Sequence, residues 1–140
     1  MILTAQKAFR HKSIAAILAF FFGWAGAHWW YLRRRFAWLP LVATLAILLA
    51  ASMRTTPFYA QLTYYLVLIP VMAGVIEALV LCLMSDERFD ARYNSGHTRR
   101  SKTGWGPVLL AMFFLLVGTG ILMGHIVMLS LEMAAGTLTL

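Results

Sequence analysis

Charge is scarce in this chain. Asp, Glu, Lys and Arg make up 12% of its 140 residues, about half the share in an ordinary soluble domain, which stands near 25%. Cysteine occurs once, at Cys82. That excludes an internal disulfide and a thiolate metal cluster, and inside an apolar run such a residue reads as a small buried hydrophobe. Catalytic patterns are missing too: no Ser-His-Asp order, no cluster of metal ligands and no glycine loop for a phosphate. The expectation is a protein that is not an enzyme, with no catalytic residue, metal or cofactor. Alternation of polar and apolar residues is also absent, which excludes a transmembrane β-barrel.

What is present is apolar sequence, 61% of the chain by residue type. Charge is nearly absent from four stretches, 14–32, 36–53, 55–85 (with Glu77 alone inside) and 105–131. A hydrocarbon layer about 30 Å thick takes roughly 20 residues of helix, and lipid leaves an unpaired backbone no water to bind. The fold class expected is therefore all-α, a polytopic helical membrane protein in contact with membrane lipids. The formal net charge of +7 could suggest nucleic acid. Lys and Arg on the cytoplasmic side, beside anionic headgroups, account for it more simply, and no nucleic-acid partner is expected.

The basic residues also bear on threading. If all four stretches cross, the positive charges divide four to eight or eight to four, with the basic N-terminus or the clusters on the wrong side. If 14–32 enters and returns, eleven of the twelve Lys and Arg fall on one side and only Arg54 on the other. The positive-inside rule favours that arrangement: three full spans plus one glycine-broken re-entrant or interfacial helix, with four full spans as the alternative. Basic loops then face the cytoplasm, most simply at a bacterial inner membrane. Lys7, Arg10 and Lys12 ahead of an apolar run, with Ala25-Gly26-Ala27 behind it, also have the form of a signal peptide. The bulky Phe20-Phe21-Phe22 and Trp24 speak against cleavage. Pro57 is expected in the first turn of the third stretch, Pro70 to kink it, Thr103 to cap the last helix and Pro107 to lie in its first turn.

Lys12-Ser13, an apolar helix, Gly23 and Gly26 at Gly-x-x-Gly spacing, His28, Tyr31-Leu32, Val75-Ile76-Glu77 and Tyr93-Asn94 carry a family signature. Together they resemble the TM-two (two-transmembrane-segment) domain family over about residues 7–94. Trp29 and Trp30 depart from its Arg-Phe pair, Arg33 stands at its Gly and Ala73 at its Trp. The resemblance implies a membrane domain over 1–94, and the family name supports topology more than activity. Residues 95–104 then read as a basic cytoplasmic linker, and 105–140 as an additional transmembrane helix with a short tail.

Glu77 stands alone in an apolar run, where a carboxylate is costly and needs a partner. Pairing with His28 or with Arg33, Arg34 or Arg35 would tie the long helix to the broken first element. Contact with another subunit and ion or proton transport are the other uses of such a group. His28 and His125 could ligate a metal or haem, but they lack companions at ligand spacing. Trp29, Trp30, Tyr31, Tyr59, Tyr64 and Tyr65 read as interface anchors. Gly118, Gly120 and Gly124 give the last helix a small-residue edge for close packing, within the chain or onto a partner. The expected role is a small accessory or scaffold subunit docking against a larger membrane protein or complex, with self-association possible. The alternative is a small homo-oligomeric channel or transporter using Glu77.

Overall fold

The computed structural model describes residues 8–138. Lys7, which enters the charge count and opens the family-like segment, lies outside the described residues, as do the last two residues of the tail. Among the described residues every regular element is helical: α1 (Lys12–Phe22), α2 (Ala27–Tyr31), α3 (Leu39–Ser52), α4 (Leu62–Leu66), α5 (Leu68–Leu83), α6 (Asp86–Tyr93) and α7 (Gly106–Ala135).

Residues 14–32 double back on themselves. At 1.5 Å per residue, the 11 residues of α1 extend about 16 Å. A 3₁₀ turn over Gly23–Ala25 follows, and Gly26 takes a left-handed φ of 69°, a conformation open to glycine because it has no Cβ. Then α2 returns. The Arg10 Nε donates to the Tyr31 carbonyl at 3.0 Å and the His11 amide to the Tyr31 hydroxyl at 2.9 Å, so the two ends of the segment meet.

Two helical stretches are long and apolar enough to cross a membrane, Leu62–Leu83 and Gly106–Ala135. The 36–53 stretch is helical only over the 14 residues of α3, because turns occupy 35–38 and Pro40 opens the helix from its first turn. The expected count of three full-length spanning helices is thus met by two, with α3 shorter. Pro70 acts as its chemistry dictates: without an N–H it cannot bond the carbonyl of Leu66, and the helix is interrupted at Val67, between α4 and α5. Pro57 instead precedes a 3₁₀ turn over Phe58–Ala60, and helix resumes only at Leu62. There the Gln61 side chain donates to the Thr56 carbonyl at 2.6 Å and closes the turn.

The core is built from small residues. Lys12 of α1 bonds the Met84 carbonyl beyond the end of α5, while Gly23 lies against Gly74, so α1 runs antiparallel to α5. Ala15, Ala16 and Ala19 are fully buried with Ala78, Leu81 and Cys82. A Cβ on Gly23 would fall 2.4 Å from the Cα of Gly74, so the hairpin tip and α5 touch backbone to backbone. Helix α3 is tied to that tip by the Thr44 hydroxyl, which donates to the Trp24 carbonyl at 2.8 Å. Helix α7 closes the other side. Its Phe114 stacks on Phe20 with centroids 4.3 Å apart, and Gly118 sits against Val75.

Candidate functional site

The return arm of the hairpin delivers three donors to Glu77 of α5. His28 Nε2 pairs with Oε2, Trp29 Nε1 donates to the same oxygen at 2.6 Å, and Arg34 Nη1 donates to Oε1 at 2.8 Å. Arg34 also donates to the Tyr93 hydroxyl at 3.1 Å and lies 5.2 Å from the centre of the Trp29 ring. Among the candidates His28 and Arg34 therefore meet at Glu77, whereas Arg33 and Arg35 remain exposed.

Local backbone geometry makes the choice among the three arginines. After α2, Arg33 adopts a left-handed φ of 52°. Its amide bonds the Trp30 carbonyl at 3.1 Å, and the Arg34 amide bonds the Trp29 carbonyl at 2.9 Å. Those two bonds form the Schellman closure, a helix ending usually made by glycine. The reversal brings Arg34 back beside Glu77. Trp29 enters this site as a hydrogen-bond donor. Its indole sits one residue after His28 on the same short helix, an adjacency visible in the sequence once Glu77 is taken as the target.

A second polar layer lies where α5 ends. Lys12, 4% exposed, bonds Asp86 at 2.6 Å and the Met84 carbonyl at 2.9 Å. Thr103 donates to Asp86 through its amide at 3.0 Å and its hydroxyl at 2.6 Å. Thr103 therefore does not cap α7, whose N-cap residue is Trp105 with no side-chain bond. Asp90 accepts from the Ser101 amide at 2.6 Å, the Ser101 hydroxyl at 2.7 Å and Asn94 at 2.8 Å. Asn94 in turn exchanges bonds with the Arg10 backbone at 2.9 and 3.0 Å, and Arg10 Nη1 reaches the Tyr93 carbonyl at 2.7 Å. Burial pushes both aspartates toward the protonated form, but these bonds prevail and hold each below the ordinary carboxylate value. The arginines near these acids in sequence gave no sign of such distant partners.

The glycines divide. Gly23, Gly26 and Gly118 meet other atoms closely, Gly26 against Pro40 and the Ala37 carbonyl. A Cβ on Gly120 or Gly124 would touch nothing within 4 Å. His125 stays far from His28 in the structure's connectivity: its Nδ1 pairs with the Ile121 carbonyl at 2.9 Å, and its ring stacks on Tyr64. Among the described residues no three His, Cys, Asp or Glu side chains gather as a metal would require. Chemically, the Glu77 site is a charge-balanced cross-link with both carboxylate oxygens engaged. Compared with family models, curated proteins and solved structures, the chain gives no match.

Proposed function

We propose that this protein is an integral membrane accessory or scaffold subunit that docks through α7 against a larger membrane protein. The observation that carries the reading is how α7 is packed. Its buried residues, Pro107, Ala111, Phe114 and Gly118, all lie in its first half. From Thr119 onward no residue of the helix is buried, and Gly120 and Gly124 leave an open edge of the kind that lets a second helix approach closely. Glu77 supports the same reading from the other direction, because a carboxylate held by Arg34, Trp29 and His28 is engaged in structure rather than open to a passing ion.

The membrane arrangement belongs to the same proposal. Helix α3, the α4–α5 pair and α7 cross the bilayer, and the 14–32 hairpin enters and returns. Arg10, Lys12, Arg34 and α6 are joined by hydrogen bonds at one end, which suits a cytoplasmic face, and Arg54 lies at the far end of α3. The inner membrane of a bacterium is the expected location. The likeness to the TM-two family gains support from where its residues fall. Lys12, Gly23, Gly26, His28, Tyr31, Glu77, Tyr93 and Asn94 all make the cross-links or close approaches described above. Arg33, at the position of the family's glycine, has the left-handed backbone that glycine serves.

Purification in mild detergent followed by intact-complex mass measurement tests the function. A stoichiometric foreign subunit, lost on Gly124→Leu, is the expected result. A pure homo-oligomer whose ion flux in liposomes disappears with Glu77→Gln would replace this reading with that of a channel. For topology, single cysteines at Arg35 and Ser95 should label from one side and at Thr55 from the other.

A further inference from the structure

A cavity of about 310 Å³ opens between α3 and α5, floored by the hairpin tip. Its size is at the lower end of the roughly 300–1,000 Å³ of small-molecule pockets. Along most of its length the wall is apolar: Pro40 and Ala43 from α3, Pro70 and Ala73 from α5. At one end stand His28, Trp29 and Glu77. From Glu77 to Pro70 the wall follows α5 for seven residues, about 10 Å at the helical rise. The polar end lies nearer the basic face and the apolar end nearer the middle of the Leu62–Leu83 stretch. That is the polarity of a lipid, head outward and chain inward.

His28 supplies the second observation. Its side chain is 2% exposed, yet Nδ1 has no hydrogen-bond partner. A carboxylate only accepts, so Nε2 carries the hydrogen toward Glu77, and Nδ1 is left without a partner. A buried polar atom in this state calls for one, and a hydroxyl, which both donates and accepts, supplies it in either state of the ring. Arg34 stands opposite Glu77. The wall also presents the carboxylate and not the guanidinium, which repels a phosphate head. The chemistry that fits is a neutral head with a hydroxyl on an apolar chain.

We propose that the α3–α5 cavity binds a lipid alcohol, its hydroxyl bonding to His28 Nδ1 and its chain lying along Ala43 and Ala73. Diacylglycerols and polyprenols share this chemistry. The inference rests on the membrane placement proposed above, and flotation of the same vesicles reports that placement separately.

The test uses the full-length protein in phosphatidylcholine vesicles with a trace of diacylglycerol bearing a diazirine on one acyl chain. After irradiation, labels should concentrate on α3 and α5 around Ala43 and Ala73. Excess dioleoylglycerol or a polyprenol should lower that labelling roughly tenfold, as blocking a specific site would, and whichever competes better identifies the source. Dioleoylglycerol with its hydroxyl acetylated should not compete. Ala73→Leu, at an exposed position, should fill the cavity and abolish the labelling while leaving the thermal midpoint in place. Labels absent, or spread evenly over the lipid-facing helices, would overturn the proposal. So would equal competition by the acetylated lipid, or labelling unchanged in Ala73→Leu.

Discussion

The two ends of the molecule are held together in different ways. At the end containing α6 and the hairpin mouth, side chains bond across 43 to 84 positions of sequence: Arg34 to Glu77, Lys12 to Asp86, Arg10 to Asn94. At the other end the bonds of Gln61, Tyr65, His125 and Ser130 reach no farther than six positions. Tyr64 against His125 is a ring contact between α4 and α7 without a hydrogen bond between them. One end is specified by polar cross-links that tolerate a single arrangement. The other shows only short-range side-chain bonds at these residues, beside apolar contacts. The open edge of α7 lies at the second end, where the proposed docking would take place.

The sharpest way to break this comparison is a pair of identical substitutions. Gly74→Val would drive a side chain into the Ala19 carbonyl, 2.7 Å from the new Cβ, and should cost about 3 kcal/mol or more through overpacking. Gly124→Val, where the space is empty, should change stability by less than about 1 kcal/mol. Thermal or denaturant unfolding in detergent checks both, and similar losses would mean that the hairpin–α5 contact and the outer part of α7 are equally constrained. Next in size is Glu77→Gln. It removes the charge opposite Arg34 and leaves donors under-satisfied, with an expected loss of about 1–3 kcal/mol by the same measurement. Arg33→Gly should act in the opposite sense, gaining about 1 kcal/mol by relieving the left-handed backbone. No gain would show that the Arg33 side chain contributes something the turn geometry does not require.

The smallest effect concerns pH and remains local to 95–104. Asp86 and Asp90 are held below the ordinary aspartate value of about 3.9. A depressed folded value means that the stabilisation is full above the unfolded value and is lost as pH falls through the folded one. The amide resonances of Ser101 and Thr103 should therefore stay fixed down to about pH 4 and move only below it. Movement well above that range would show that the second layer is weaker than its geometry indicates.

Much of this could be read from residue types, and the remainder failed for identifiable reasons. Interruption of 14–32 was legible in Gly23 and Gly26, and the break before Pro70 in the missing N–H. Glu77's need of partners was legible in its isolation. Which arginine answers it was not, because the choice depends on a left-handed backbone at Arg33, a residue type that rarely adopts one. Asp86 and Asp90 stand among arginines in the sequence, and nothing there brings Lys12 or Ser101 to them. Thr103 looked like a helix cap because local patterns cannot show that Asp86 competes for its hydroxyl. The α7 edge was visible as a glycine pattern. Only packing divides it into Gly118, which is used within the chain, and Gly120 and Gly124, which are not.

The exchange of bonds between Arg10 and Asn94 spans 84 positions, and it sets an order of events at the ribosome. The groups that secure the hairpin's mouth, Glu77, Asp86, Tyr93 and Asn94, all lie far downstream of it in sequence. None of them exists when the hairpin is made. Lys12, which the folded chain buries, and the half-buried Arg10 are without these partners during that interval. The mouth of the hairpin therefore closes only once α6 has been made, well after the hairpin itself.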